Sequence, residues 1–236
     1  MIKCLFLVEG PYDLLRLSLL KGLFDENKLE IVPLAGDKLT TNSYFKKYEE
    51  VIRHFLNVES THSYEDFDLF AQICDTDGCF ISDEAIVENL DNTKIKYFRD
   101  RVEINDINSI IRRNKTKRDN INALLVSGKI ELFYNSCNID DVFDGKLNPR
   151  NKQKKRLAVD MYNKYSTDLF GFIDLIFNSD HSGASSHKES WDYIKIGKNS
   201  LSPTTNLKFF LINHIDDLKN EFKDYIAKKL KWYNNI

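Results

Sequence analysis

Two short apolar runs end abruptly in acid, and this pattern constrains the chain more than any other. Residues 2–8, IKCLFLV, lead straight into Glu9-Gly10-Pro11-Tyr12-Asp13, and residues 68–74, DLFAQIC, lead into Asp75-Thr76-Asp77-Gly78. A short, nearly continuous apolar run reads as a strand buried on both faces, as strands of a parallel sheet are. Ligands of open α/β sheets bind beyond the carboxyl ends of such strands. Carboxylates gathered there repel one another unless they share protons or a cation neutralises them. An all-oxygen set favours Mg²⁺ or Mn²⁺ over zinc. In an extended Asp-x-Asp segment both side chains point to one side, so both can face one ion.

The rest of the chain supplies the connections. Pro11 fits the first turn of a helix reaching about Phe24, with Leu14, Leu15, Leu19, Leu20 and Leu23 along one side. Ile31–Leu34 reads as a second strand, and Ser43 to about Leu56 as a helix carrying Phe45, Tyr48, Ile52 and Phe55. Ser82, followed by Asp83 and Glu84, reads as the N-cap of a third helix. Residues 103–126 read as helix and Ile130–Tyr134 as a fourth strand. This alternation predicts an α/β fold, a parallel sheet flanked by helices. Beyond it come a basic run, KLNPRNKQKKR (146–156), then helices near 152–165, 168–178 and 215–233, and a short segment near Trp191–Ile196. The expected organisation is an α/β unit over 1–145 and a mostly helical C-terminal extension over 146–236.

Composition narrows the function classes. The 236 residues suit one domain with an elaboration, and 42% hydrophobic content is enough for a buried core. A formal net charge of -2 excludes a uniformly basic surface, so nucleic-acid binding needs a local patch or a bound metal. Four cysteines without a C-x-x-C pair read as reduced core residues. No apolar run approaches a membrane span. The expectation is a soluble, cytoplasmic protein with no membrane partner.

The two acidic motifs, in this order and at strand ends, resemble those of the Toprim domain. That domain occurs in topoisomerases, DnaG-type primases, OLD-family nucleases and small bacterial nucleases. Glu9-Gly10-Pro11-Tyr12-Asp13 resembles its first motif and Asp75-Thr76-Asp77-Gly78 its second. A weaker likeness, to OLD-like and RloB-like members, lies in Tyr134-Asn135-Ser136-Cys137-Asn138-Ile139-Asp140, which lacks those members' proline. The resemblance implies catalytic Glu9, Asp75 and Asp77, and Mg²⁺ or Mn²⁺ held by these with Asp13 and Asp140. It also implies a general acid or base role for Glu9, and a neutral supporting ligand in Asn135 or Asn138. Topoisomerases carry a tyrosine-bearing domain and primases carry zinc-binding and helicase-binding modules. The sequence shows neither, so the expected activity is hydrolysis of DNA or RNA phosphodiesters. A role in phage defence, a separate ATPase subunit and a homodimer are further expectations of the likeness alone.

The basic residues are less specific. Arg112, Arg113, Lys115, Lys117 and Arg118 in the middle segment are candidates for holding phosphate, as are Lys152, Lys154, Lys155 and Arg156 in the second basic run. Lys195 and Lys198, interleaved with aromatics in HKESWDYIKIGKNSL, are candidates for clamping a strand. Each also has an ordinary alternative: basic runs are usually solvated faces, and Asp13 and Asp140 are well placed as helix-opening acids. Two rival functions remain at this level. Asp75-Thr-Asp-Gly also resembles the start of haloacid-dehalogenase phosphatases, with Asp75 as nucleophile. A Toprim-derived binding or regulatory subunit of an ATPase-containing complex is the other.

Overall fold

In the computed structural model, which describes residues 1–36, 39, 48–128 and 130–233, the apolar runs become neighbours in one sheet. The strands are β1 (Ile2–Val8), followed by α1 (Pro11–Leu17); β2 (Leu29–Ala35), followed by α2 (Tyr48–Glu59); and β3 (Leu69–Asp75). A small three-stranded sheet comes next, β4 (Ile86–Glu88), β5 (Lys96–Tyr97) and β6 (Val102–Ile104). The long α3 (Ile107–Ser127) leads into β7 (Glu131–Asn135) and the short α4 (Ile139–Asp144). Among the described residues that follow are the helices α5 (Asn151–Tyr165), α6 (Leu169–Asn178), α7 (His187–Ile194), α8 (Lys208–Asn213) and α9 (Asn220–Tyr233).

The main sheet has the order β2-β1-β3-β7 with every pair parallel, so the fold is α/β with helices on both faces. Alternation along β1 sorts the core. Cys4, Phe6 and Val8 join Ile31, Ala71, Ile73 and Phe133 under α6, α8 and α9. Leu5 and Leu7 join Cys74, Leu132 and Tyr134 under α2, α3 and α7. Residues beyond 146 therefore contribute to the same hydrophobic layers as the sheet. Burying such aliphatic and aromatic side chains contributes roughly 1.5–3 kcal/mol each, which ties these helices to the sheet they cover.

Several expectations are corrected. The helix expected from Ser82 is only a 3-10 turn over Asp83–Ala85, after which the chain enters β4. Apolar periodicity stops there: Asn89 and Asn92 instead donate side-chain hydrogen bonds to Glu103, pinning the chain beside β6. Strands this short carry too little pattern to be read. Residues 103–104 accordingly belong to β6, and α3 starts at Ile107 with Asp106 as its side-chain cap. The first helix gives way to a 3-10 turn at Ser18. The expected helix positions 43–47, including Phe45, lie outside the described residues. The helix α8 was not anticipated, and α9 starts at Asn220, after a 3-10 turn over Ile215–Asp217. Among the described residues no helix is long and apolar enough to cross a membrane.

Candidate metal centre

Because β1 and β3 are adjacent and parallel, their carboxyl ends open on the same edge of the sheet. Glu9 follows β1 and its Oε1 accepts a hydrogen bond from the backbone N–H of Asp75, 3.0 Å away, so the two motifs touch. Asp13 sits one turn into α1, where its Oδ2 accepts from the Gly10 N–H at 3.0 Å. Glu9, Asp13, Asp75 and Asp77 together line one cavity of about 990 Å³.

The Asp75–Gly78 segment is not extended, contrary to the simple expectation for Asp-x-Asp. Asp75 is the last residue of β3, whereas Asp77 and Gly78 both adopt the left-handed conformation, with φ of 52° and 65°. Asp tolerates that region better than most residues with a side chain. Gly78 is required twice over: its φ disfavours a side chain, and a Cβ there would lie 2.7 Å from Leu201 Cδ2. The turn is fixed from outside: Thr76 N–H donates to Asn135 O and Asp77 N–H to Cys137 O. Behind it, Ser200 O accepts from Thr76 Oγ1 and from Cys137 N–H, and Thr204 O accepts from Ser136 N–H. A buried C-terminal segment thus braces the loops of the site.

Electrostatics divide the carboxylates. Asp75 Oδ1 accepts from Asn135 Nδ2 at 3.2 Å and from the Ile139 N–H at 3.1 Å. Burial, then the charges of Glu9, Asp13 and Asp77, push the Asp75 carboxyl well above the usual carboxylate range. Burial would also raise Asp77. Lys117 and Arg113 beside it, with hydrogen bonds from Lys117 and Tyr97, outweigh that and hold it below its ordinary value. Asp13 is pushed up to about 6, by burial first, with Arg16 opposing and Asp140 adding to the rise.

Lys117, on α3, stands in the sequence only as one of five basic candidates for holding phosphate, and no motif there marks it as a partner of the acidic residues. Fully buried, its Nζ donates to Glu9 Oε1 at 2.9 Å and to Asp77 Oδ2 at 2.7 Å, joining the two motifs through one ammonium. A signal for it existed: Ile110, Asn114, Lys117, Ile121 and Leu124 fall on the buried side of α3 at helical spacing, and Arg112, Lys115 and Arg118 do not. Tyr97 was also missed. Its hydroxyl donates to Asp77 Oδ1 at 3.0 Å and accepts from Arg113 Nη1 at 3.0 Å. Its two-residue strand offers no pattern that would have revealed it.

The other expected residues scatter. Arg113 is committed to the turn, donating to Asp77 O at 2.8 Å and to Asn114. Asp140 is almost fully buried and bound by Arg16 Nη2 at 2.8 Å and Lys154 Nζ at 3.4 Å, so it stands behind the cavity rather than lining it. Asn138 is used as the cap of α4, accepting from Asp141 N–H, whereas Asn135 lies against Asp75. Lys154 lines the cavity, together with Lys94, Lys96, Arg150 and Lys152. Lys155 lies on the adjoining face of α5. Arg112, Lys195 and Lys198 are exposed and line no part of the acidic cavity.

Among the described residues, no three His, Cys, Asp or Glu side chains already converge as a finished ligand set. The donor chemistry nevertheless fits a hard divalent cation. The four cavity carboxylates offer only oxygen, and Asp75 is held under repulsion that a cation would relieve. Comparison of the chain with family models, curated proteins and solved structures finds no match in any of the three.

Proposed function

We propose that this chain is a Toprim-type nuclease that hydrolyses DNA or RNA phosphodiesters with Mg²⁺ or Mn²⁺. The observation that carries the reading is the meeting of Glu9, Asp13, Asp75 and Asp77 in one cavity walled by Lys94, Lys96, Arg150, Lys152 and Lys154. An acidic floor suits a divalent cation, and basic walls suit the phosphates that such a cation would act on. The parallel order β2-β1-β3-β7, with both motifs at carboxyl ends, is compatible with the Toprim arrangement.

In this reading Glu9, Asp75, Asp77 and Asp13 hold the metal. An ion held there would supply Lewis-acid polarisation of a phosphoryl oxygen and a more acidic bound water. The protein's own residues do the positioning. Lys117 keeps Glu9 and Asp77 at fixed separation, and Tyr97 and Arg113 hold the Asp77 turn. The Asp75 N–H orients Glu9. Lys154, whose pKa is raised because Asp140 and Asp75 outweigh its burial, stays charged beside the cavity. A phosphatase with Asp75 as nucleophile has less support, since the nearby ammonium of Lys117 pairs with Glu9 and Asp77.

The test is a panel of single- and double-stranded DNA and RNA incubated with Mg²⁺, Mn²⁺ or EDTA. Cleavage by the wild type that needs the metal and disappears in Glu9→Ala is the expected outcome. Cleavage that survives EDTA sinks the proposal. Metal binding without any cleavage moves the reading to a subunit that acts only with an ATPase partner.

A further inference from the structure

The acidic cavity opens onto a basic ridge of which the proposed function uses only the cavity wall, Arg150, Lys152 and Lys154. Within seven residues at the start of α5 and its cap lie Arg150, Lys152, Lys154, Lys155 and Arg156, with no acid among them. Elsewhere many cations are matched, as in Arg53 with Glu49, Lys115 with Asp119 and Lys188 with Asp192. Here Lys154 reaches Asp140, but Arg150, Lys152, Lys155 and Arg156 make no ion pair among the described residues. A chain of net charge -2 thus concentrates unmatched positive charge at one place.

Two features connect that place to the cavity. Arg150 and Lys152 line both the acidic cavity and a recess along α5 formed with Gln153, Lys155, Arg156 and Val159, so the two recesses adjoin. This 15-residue helix begins at Asn151, which lines the acidic cavity with Arg150 and Lys152, so the positive end of its dipole lies beside that cavity. From Arg150 to Arg156 the helix advances about 9 Å, a length over which a nucleic-acid backbone presents successive phosphates.

The cavity also limits what can enter. The Asn148 side chain donates to Tyr97 O at 2.8 Å and accepts from the Tyr97 N–H at 2.9 Å, tying the α5 wall to the small-sheet wall. A cavity of about 990 Å³ bridged in this way is sized for a few nucleotides of one strand.

We infer that the substrate is a single strand of nucleic acid, its backbone laid along Lys152, Lys155 and Arg156 so that one phosphate enters the acidic cavity. This rests on the nuclease reading for the phosphate's fate but not for binding, and the test separates the two. Fluorescence anisotropy of a labelled oligothymidylate of about 12 nucleotides, and of a duplex of equal length, would be measured in EDTA, where nothing is cut. The single strand should bind more tightly than the duplex. Lys155→Ala/Arg156→Ala should weaken it on the order of tenfold and lessen the slope of log affinity against log salt by about 1.4, as expected for two lost phosphate contacts on a single strand. Lys195→Ala/Lys198→Ala removes the same charge elsewhere and should leave both unchanged. Tighter duplex binding, or equal loss in the two double variants, overturns the inference. Metal-dependent cleavage alongside either of those results leaves the nuclease reading standing. Binding as expected with no metal-dependent cleavage fails that reading alone.

Discussion

Asp75→Asn should make the metal-free protein more stable while removing its activity. The substitution keeps the shape of the side chain, and its remaining oxygen can still accept from Asn135 and the Ile139 N–H. What it removes is a buried carboxyl whose ionisation is opposed by burial and by Glu9, Asp13 and Asp77. A carboxyl whose folded pKa is raised contributes stability that is complete below its unfolded pKa and lost as pH rises through the folded one. For Asp13 that window runs from 3.8 to about 6, worth about 3 kcal/mol at most. Asp75 shifts in the same direction. Asp77 has the opposite sign: its lowered pKa contributes stability above 3.8 that is lost only at more acidic pH. Stability in EDTA should therefore decline from about pH 4 to beyond pH 6. At neutral pH the melting temperature of Asp75→Asn should exceed that of the wild type by about 3 °C or more. Added Mg²⁺ should stabilise the wild type and close the gap. Under the proposed function, cleavage by the variant should fall on the order of a thousandfold, since a ligand to the ion would be lost. A melting temperature lowered in EDTA would contradict the account of the cavity as a cluster under repulsion.

The second large effect is expected at Arg16, on the stability of the scaffold. Arg16 is completely buried on α1, with Nη2 donating to Asp140 Oδ1 and Asp144 Oδ2, each at 2.8 Å, and Nη1 3.9 Å from Asp13. One guanidinium thus joins α1 to α4 while α1 packs against α5. Its Nε and Nη1 have no hydrogen-bond partner among the described residues, so the pairing is bought at a desolvation cost. Arg16→Met keeps the apolar volume but leaves Asp140 and Asp144 without their main partner. Removing one side of a buried pair costs about 3–5 kcal/mol, and denaturant unfolding should show a loss of that size. Arg16→Met combined with Asp140→Asn and Asp144→Asn should recover most of it, because the uncompensated charges go too. A single variant within 1 kcal/mol of wild type, in the range of an exposed pair, would show that Arg16 holds nothing together.

The legible and hidden parts of this molecule differ for physical reasons. Strands β1 and β3 were readable because both faces are buried, which leaves a continuous apolar run, and because acid stops each run at the sheet edge. Their adjacency was not readable, since strand order is decided by long-range pairing. Lys117 was visible only as one of several basic residues. Its selection follows from the register of α3, which puts it on the face carrying Ile110, Ile121 and Leu124. Tyr97 and the bracing segment around Ser200 act through backbone and single hydroxyl contacts, which leave no periodic trace. Asp140 looked like a ligand from its place after a strand, but Arg16, 124 residues away in sequence, reaches it first.

The proposed divalent-cation site of Glu9, Asp13, Asp75 and Asp77 is tested most directly by titration of the purified protein with Mn²⁺, followed by calorimetry or by loss of the free-ion spin-resonance signal. The wild type should show saturable binding that Mg²⁺ competes away and that Asp75→Asn abolishes. No saturable binding, or binding that Asp75→Asn leaves intact, would contradict it.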